Sequence, residues 1–201
     1  MSGLDEEVFR VLNMAGSSTV LDAVMIAISV LGTTYALVIL ASIIWLKRRR
    51  ELAFDCLVLL AIVSILVFLL KYAVDRARPF EVLDDVDFAS ISLLSSASDP
   101  SMPSGHASKT FAIAALVALS RHKKAGALLL ALACAVALTR IYLGLHWPSD
   151  VLAGAVLGVS LGALFHAFSR RLNRYRLFQS WAIGRLSRIA GYLSAPAKAS
   201  G

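Results

Sequence analysis

The sequence predicts an all-α, polytopic membrane helix bundle of about five transmembrane helices with amphipathic helices at its N- and C-terminal ends. Three observations lead there. Of 201 residues, 58% are hydrophobic and only 16% charged, against roughly 25% charged in an ordinary soluble domain. The apolar residues fall in runs of membrane-spanning length. The basic residues cluster at alternate connections between those runs. A disordered tail, a disulfide scaffold and a typical cytosolic enzyme are all excluded by this composition.

Taken in order, the N-terminal MSGLDEEVFRVLNM is acidic and amphipathic, unlike the basic-then-apolar pattern of a signal peptide. The first apolar run, Thr19 to Leu46, extends roughly 42 Å at about 1.5 Å per residue, long for one span and too short for two. Asp22 near its start places the first half partly in the interface. Leu52–Leu70 is the cleanest span, with Asp55 at its start. His106–Ser120 is short and opens with polar residues. Ala125–Leu145 is apolar except for Thr139 and Arg140. Val151–Phe168 carries Gly154, Gly158 and Gly162, a small-residue ladder suited to close helix packing. The tail from Leu177 to Ser194 interleaves Phe178, Trp181, Leu186, Ile189 and Leu193 with Arg185 and Arg188, the pattern of an amphipathic helix on the inner leaflet, with a simple stop-and-anchor segment as the plainer and favoured reading. No boundary divides the chain, and residues 1–201 read as one membrane domain.

Charge orients the bundle. KRRR at 47–50, RHKK at 121–124 and RRLNRYR at 170–176, with Arg185, Arg188 and Lys198, hold 14 of the 20 Lys and Arg residues. The positive-inside rule puts these clusters in the cytoplasm. The N-terminus, with Asp5, Glu6 and Glu7, then faces outside and the C-terminus inside. A net charge of +7 is thereby explained by topology, and no nucleic-acid partner is implied. Cys56 and Cys134 each sit inside an apolar run and form neither a disulfide framework nor a zinc site.

Subtracting the cytoplasmic clusters leaves Arg10, Lys71, Arg76, Arg78, Lys109 and Arg140. All but Arg10 lie at the outer ends of spans two, three and four, against the positive-inside trend. Ionisable groups at membrane depth are costly unless they serve a ligand or a pathway. His106, His146 and Asp150 belong to the same layer. Several cations around a pocket suit a phosphate-like anion, Arg giving forked donors and Lys a point charge. Pro103–His106, reading PSGH, adds a turn into a helix start, where backbone N–H groups favour an anion. Gly105 permits close backbone approach there, and Ser104 offers a hydroxyl. Two histidines permit one nucleophile and one proton donor. Asp150, four residues after His146 with Pro148 at a first helical position, is suited to orient a histidine.

Duller readings compete. Lys71 and Arg78 taken singly are snorkelling interface residues, Ser104-Gly105 a loop-to-helix turn, and His146 a packing histidine. A metal held by His106, His146 and Asp150 would sit beside several fixed cations, which is electrostatically poor. Asp84, Asp85 and Asp87 read as a solvated loop face.

The motifs KYAVDRARP (71–79), PSGH (103–106) and TRIYLGLHWPSD (139–150) together resemble the three-part signature of the type 2 phosphatidic acid phosphatase superfamily. Order and internal spacing match, with Thr139 where that pattern has Ser. The resemblance implies a metal-independent, cofactor-free membrane lipid phosphatase. His146 would attack phosphorus to form a phosphohistidine, Asp150 would orient it, and His106 would protonate the leaving oxygen. Lys71, Arg78 and Arg140, with Ser104 and the Gly105 backbone, would hold the phosphoryl oxygens. Thr139 keeps a hydroxyl for hydrogen bonding, and Lys109, one helical turn after His106, would contact a second phosphate or snorkel. Within the family's range the compact form favours an undecaprenyl-type polyprenyl diphosphate at the outer membrane face. Phosphatidate or phosphatidylglycerophosphate is the nearest alternative. A haloperoxidase is excluded by the apolar spans. A non-catalytic lipid-phosphate binder or transporter would not need two histidines and a spaced Asp.

Overall fold

The computed structural model describes residues 3–13, 18–84, 86 and 99–194. Asp85, Asp87, Lys198 and most of the 80–102 loop lie outside these residues, as do the side chains of Ile189 and Leu193. The described elements are α1 (Gly3–Leu12), α2 (Thr19–Leu31), α3 (Thr34–Leu46), α4 (Arg50–Val74), α5 (Pro79–Val82), α6 (Gly105–Leu119), α7 (Lys123–Tyr142), α8 (Pro148–Arg171) and α9 (Asn173–Ser194). No strand occurs among the described residues.

Helix α6 is the axis of the bundle. It is rich in alanine, and Ala107, Ala112, Ala114 and Ala115 are all buried, so neighbouring helices approach its backbone. The glycine ladder of α8 is what faces it. A Cβ on Gly154 would come within 2.7 Å of the Ser104 carbonyl oxygen, and one on Gly162 within 2.5 Å of the Ala112 carbonyl oxygen. A Cβ on Gly158 would lie closer still to the Ser108 carbonyl. Helix α4 covers another side of α6, packing Cys56, Leu59, Val63 and Val67 against Ala112, Ile113, Leu116 and Val117.

The long first apolar run is two helices, α2 and α3, bent by 58°. Thr33 starts the second helix by accepting the Ala36 N–H at 3.2 Å. Gly32 stands at the bend where Val136 and His106 pack against it: a Cβ would run into Val136 Cγ1 and come within 3.0 Å of the His106 Cδ2.

By length and composition α4, α7 and α8 are each able to cross a membrane, and the bent α2–α3 pair makes a fourth crossing if it acts as one span. Helix α6, with 15 residues, extends only about 22 Å, short of the roughly 30 Å hydrocarbon core. Outward-facing Ile65, Phe68, Leu152, Val156 and Leu164 are exposed, as lipid contact requires. The terminal helices dock on opposite ends. Phe9 of α1 is buried against Trp147 with ring centroids 5.2 Å apart. Tyr175 and Gln179 of α9 both donate to Asp55 Oδ1, at 2.5 and 2.7 Å.

Filling the ladder separates packing from propensity. Gly158→Val is expected to destabilise the protein by about 2 kcal/mol or more through overpacking. Gly184→Ala, where nothing lies within 4 Å of the new Cβ, should be neutral or stabilise by up to about 1 kcal/mol. Thermal unfolding in detergent, followed by tryptophan fluorescence, reads both.

Candidate active site

The three motifs meet at one end of the bundle because each sits at a helix end. Lys71 lies in the last turn of α4, Arg78 caps α5, and Ser104 caps α6, with Gly105, His106 and Lys109 in its first turns. Thr139 and Arg140 end α7, and Asp150 lies in the first turn of α8, which begins at Pro148. A tight return after α7 brings His146 back beside Arg140. The Arg140 carbonyl accepts both the Leu145 and His146 N–H groups, at 3.1 and 3.2 Å. Gly144 permits this turn by taking φ +70°. Lys71, Arg78, Ser104, Arg140, His146 and Asp150 are all buried.

The cations form the floor. Lys71 Nζ lies 2.8 Å from Asp99 Oδ2, and Arg78 Nη2 lies 2.6 Å from Asp99 Oδ1. Lys71 also donates to the Pro100 carbonyl, while Arg78 donates through Nε to the Asp99 carbonyl and through Nη1 to that of Leu145, both at 2.9 Å. Burial raises the Asp99 carboxyl pKa, but Lys71 and Arg78 outweigh it and hold the group below the usual carboxylate range. Arg140 donates through Nη1 to Ser29 Oγ at 2.6 Å. Its Nε and the Ser104 hydroxyl are buried with no hydrogen-bond partner among the described residues, a costly state that a phosphoryl oxygen would relieve. Lys109 Nζ donates to Thr34 Oγ1 at 2.8 Å. A Cβ on Gly105 would make ordinary contact with Val67 at 3.5 Å and stand 4.0 Å from Lys109 Nζ. The packing of the protein itself therefore does not demand glycine there. His106 is half-buried and lines a cavity of about 30 Å³ with Arg140 and Ser29.

The histidine–acid pair is held from behind. His146 Nδ1 lies 3.6 Å from Asp150 Oδ2 and 3.4 Å from Ser101 Oγ, which turns Nε2 away from the carboxylate. Ser101 donates to Asp150 Oδ2, and the Trp147 N–H donates to the same oxygen at 2.9 Å. Arg76 Nη1 meets Asp150 Oδ1 at 2.6 Å, and its Nη2 meets Asp5 Oδ2 at 2.5 Å. Asp5 in turn accepts from the Ser149 N–H at 3.0 Å and the Ser149 hydroxyl at 2.6 Å. Burial raises the Asp5 pKa, but the Ser149 and Arg76 contacts prevail and keep it lowered. Burial pushes His146 down to about 3; Asp150 opposes this, and Arg78, Arg140 and Lys71 add to it. Its imidazole is therefore neutral at neutral pH.

Asp5, Arg76, Asp99 and Ser101 are not among the site residues to which the sequence points. Arg76 had a signal, being one of the outer-layer cations. Asp5 had a weaker one, four residues before Phe9 on the same helical face. Asp99 and Ser101 sit in non-helical chain without periodicity. Thr139 is fully buried and gives its hydroxyl proton to the Val136 carbonyl at 2.7 Å. Among the described residues no three His, Cys, Asp or Glu side chains group as metal ligands, and His106, His146 and Asp150 are no exception. Asp84 is exposed.

The sequence profile of the PAP2 superfamily matches residues 52–174. The chain is 30% identical over 157 residues to an undecaprenyl-diphosphatase of Sulfolobus acidocaldarius, covering 78% of this chain and 74% of that protein. It is 29% identical over 180 residues to the undecaprenyl-diphosphatase BcrC of Bacillus subtilis, covering 86% and 88%. Its fold matches the crystal structure of a transmembrane PAP2-type phosphatidylglycerolphosphate phosphatase from Bacillus subtilis with a TM-score of 0.69 and 28% identity, covering 86% and 88% of the two chains. With a matched profile, similar relatives and apolar helices long enough to cross a bilayer, the chain is an integral membrane protein belonging to the PAP2 superfamily.

Proposed function

We propose that this protein hydrolyses an undecaprenyl-type polyprenyl diphosphate to the monophosphate by way of a phosphohistidine, without a metal. The carrying observation is the pair of buried groups without a partner among the described residues, the Ser104 hydroxyl and Arg140 Nε, set among buried Lys71 and Arg78. Such donors are complementary to phosphoryl oxygens in transfer. The substrate class is supported by the relatives named undecaprenyl-diphosphatase. The PAP2-type fold neighbour makes phosphatidylglycerophosphate the second substrate to test.

His146 Nε2 attacks the terminal phosphorus in its neutral form, breaking the bond to the bridging oxygen. His106 delivers the proton to that leaving oxygen. Water then attacks the phosphohistidine, His106 takes its proton, and inorganic phosphate leaves. Asp150 positions the imidazole and offsets its charge as the N–P bond forms. Lys71, Arg78, Arg140, Ser104 and the Gly105 N–H hold the transferred phosphoryl group. Lys109, one turn along α6, contacts the second phosphate, and Thr139 supports the end of α7 through its own backbone bond. Five crossings, counting the bent α2–α3 pair and α6, make one membrane domain. The basic clusters lie at the end opposite the motifs, so the positive-inside rule sets the pocket on the outer face with the N-terminus outside and the C-terminus in the cytoplasm.

Purified protein in detergent with EDTA should release phosphate from undecaprenyl diphosphate faster than from phosphatidylglycerophosphate, phosphatidate or a soluble phosphomonoester. His146→Ala should abolish release while lipid binding stays within a few-fold. Arg140→Ala should cost about a hundredfold in rate, or about 3 kcal/mol. Turnover surviving His146→Ala rules out the nucleophile assignment.

Because its pKa is lowered to about 3, His146 is protonated only as pH falls through that value. An ordinary histidine would titrate near 6.5. Nitrogen chemical shifts of labelled histidine should report a neutral His146 at about pH 5. The acid limb of hydrolysis should appear below about pH 4.

Asp99 occupies the two cations that would bind phosphate, so phosphate entry must displace a carboxylate. Asp99→Asn should lower KM, and tighten inhibition by inorganic phosphate, by about tenfold, equivalent to about 1.4 kcal/mol, with kcat little changed. A raised KM would mean that Asp99 orders the cations instead of competing with the ligand.

A further inference from the structure

A cavity of about 720 Å³ opens at the end of the bundle opposite the candidate active site, walled by the start of α4, the ends of α6 and α8, and α9. Along α4 alone, the rise from Arg50 to Lys71 separates the two by roughly 30 Å, a bilayer's hydrocarbon thickness. Five arginines line the cavity: Arg48, Arg49, Arg50, Arg121 and Arg170. None takes part in a salt bridge among the described residues. Arg49 meets the His122 ring at 3.3 Å, and Arg50 donates to Ser187 Oγ at 3.0 Å. The two carboxylates in the wall do not neutralise them. Asp55 is occupied by Tyr175 and Gln179, which leaves Glu51.

The backbone adds an independent observation. Arg48 and Arg121 adopt positive φ, 64° and 65°, a conformation unfavourable for a long side chain. Arg48 stands two residues after the end of α3 and Arg121 two residues after the end of α6, and both line the same cavity. Beside it, α9 exposes Phe178, Trp181 and Leu186, an apolar ledge next to a cationic basin. Guanidinium groups bind phosphate oxygens through paired N–H donors, and basic pockets between membrane helices take anionic headgroups.

We propose that this cavity is a second, non-catalytic site for a phosphate-bearing anion, either the headgroup of an anionic phospholipid or a soluble phosphate ester, bound by Arg48, Arg49, Arg50, Arg121 and Arg170. The site stands apart from the catalytic reading, because none of its residues belongs to the motif end. A lipid headgroup held here would join α9 to the ends of α4, α6 and α8 through one ligand.

The test is native mass spectrometry of the full-length protein extracted from vesicles of equal phosphatidylglycerol and phosphatidylcholine. Wild-type protein should retain phosphatidylglycerol at least about fivefold over phosphatidylcholine, a difference of about 1 kcal/mol. The triple variant Arg49→Gln, Arg121→Gln, Arg170→Gln should bring that ratio close to one. Arg121→Gln alone should lower it partway, which serves if the triple variant fails to fold. Arg140→Ala, at the other end, should leave the enrichment in place. Added glycerol 3-phosphate then separates the two sources. Retention unaffected by millimolar amounts assigns the site to lipid, and displacement assigns it to a soluble phosphate ester. Enrichment that survives the triple substitution overturns the proposal. So does equal retention of the two lipids combined with no shift in melting temperature on adding glycerol 3-phosphate.

Discussion

The close approach of α8 to α6 is the constraint on which the geometry of this protein depends. Three glycines spaced one turn apart remove the side chains that would otherwise hold the two backbones apart, and the alanines of α6 complete the contact. The consequence reaches the helix starts. With α8 seated on α6, the Ser104 N–H donates to the Asp150 carbonyl at 3.0 Å, so the PSGH turn and the histidine–acid segment become neighbours. Without that contact the motifs would be three helix ends at one depth, with no reason to share a pocket.

Charge burial is organised around this junction in two halves. On one side Asp99 pairs with both Lys71 and Arg78, while Arg140 has Ser29 as a partner and its Nε has none among the described residues. On the other side Asp150, fully buried, is compensated by Arg76 and by donors from Ser101 and Trp147. Arg76 also lies over the Trp147 ring, 5.5 Å from its centroid, which ties the charge network to the apolar contact with Phe9. The short N-terminal helix thus closes the network through Asp5. A buried charge left without such partners costs several kcal/mol, so these contacts are conditions for the bundle to fold as much as for any chemistry in it.

The two ends of the bundle carry opposite electrostatic logic. At the motif end cations are buried and matched to specific partners. At the other end arginines are largely exposed around an open cavity and, among the described residues, make no salt bridge. The clustering of the second set is visible in the sequence, but the shape of the cavity and the seating of α9 through Tyr175, Gln179 and Asp55 are features of packing. A tail that reads as a surface helix is therefore also a wall, fixed by two hydrogen bonds to a carboxylate at the start of α4.

Periodicity and spacing determined much of this protein by themselves. The apolar runs, the glycine ladder, the helix start at Pro148 and the three motifs are all local signals, set by a few adjacent residues. Even the common depth of Lys71, His106, Arg140, His146 and Asp150 follows from counting residues along apolar runs. What only tertiary structure decided involves partners distant in sequence. The glycine at the break, Gly32, answers to Val136 and His106 across the bundle. Asp5 reaches Arg76 and Ser149, although its own segment reads only as an acidic amphipathic helix. Asp99 and Ser101 lie in chain with no periodic pattern, and they join the site through the ion pairs of Asp99 with Lys71 and Arg78 and the hydrogen bond of Ser101 to Asp150. A carboxylate's partner is set by which buried charge it can reach in three dimensions, and no local pattern of residues encodes that distance.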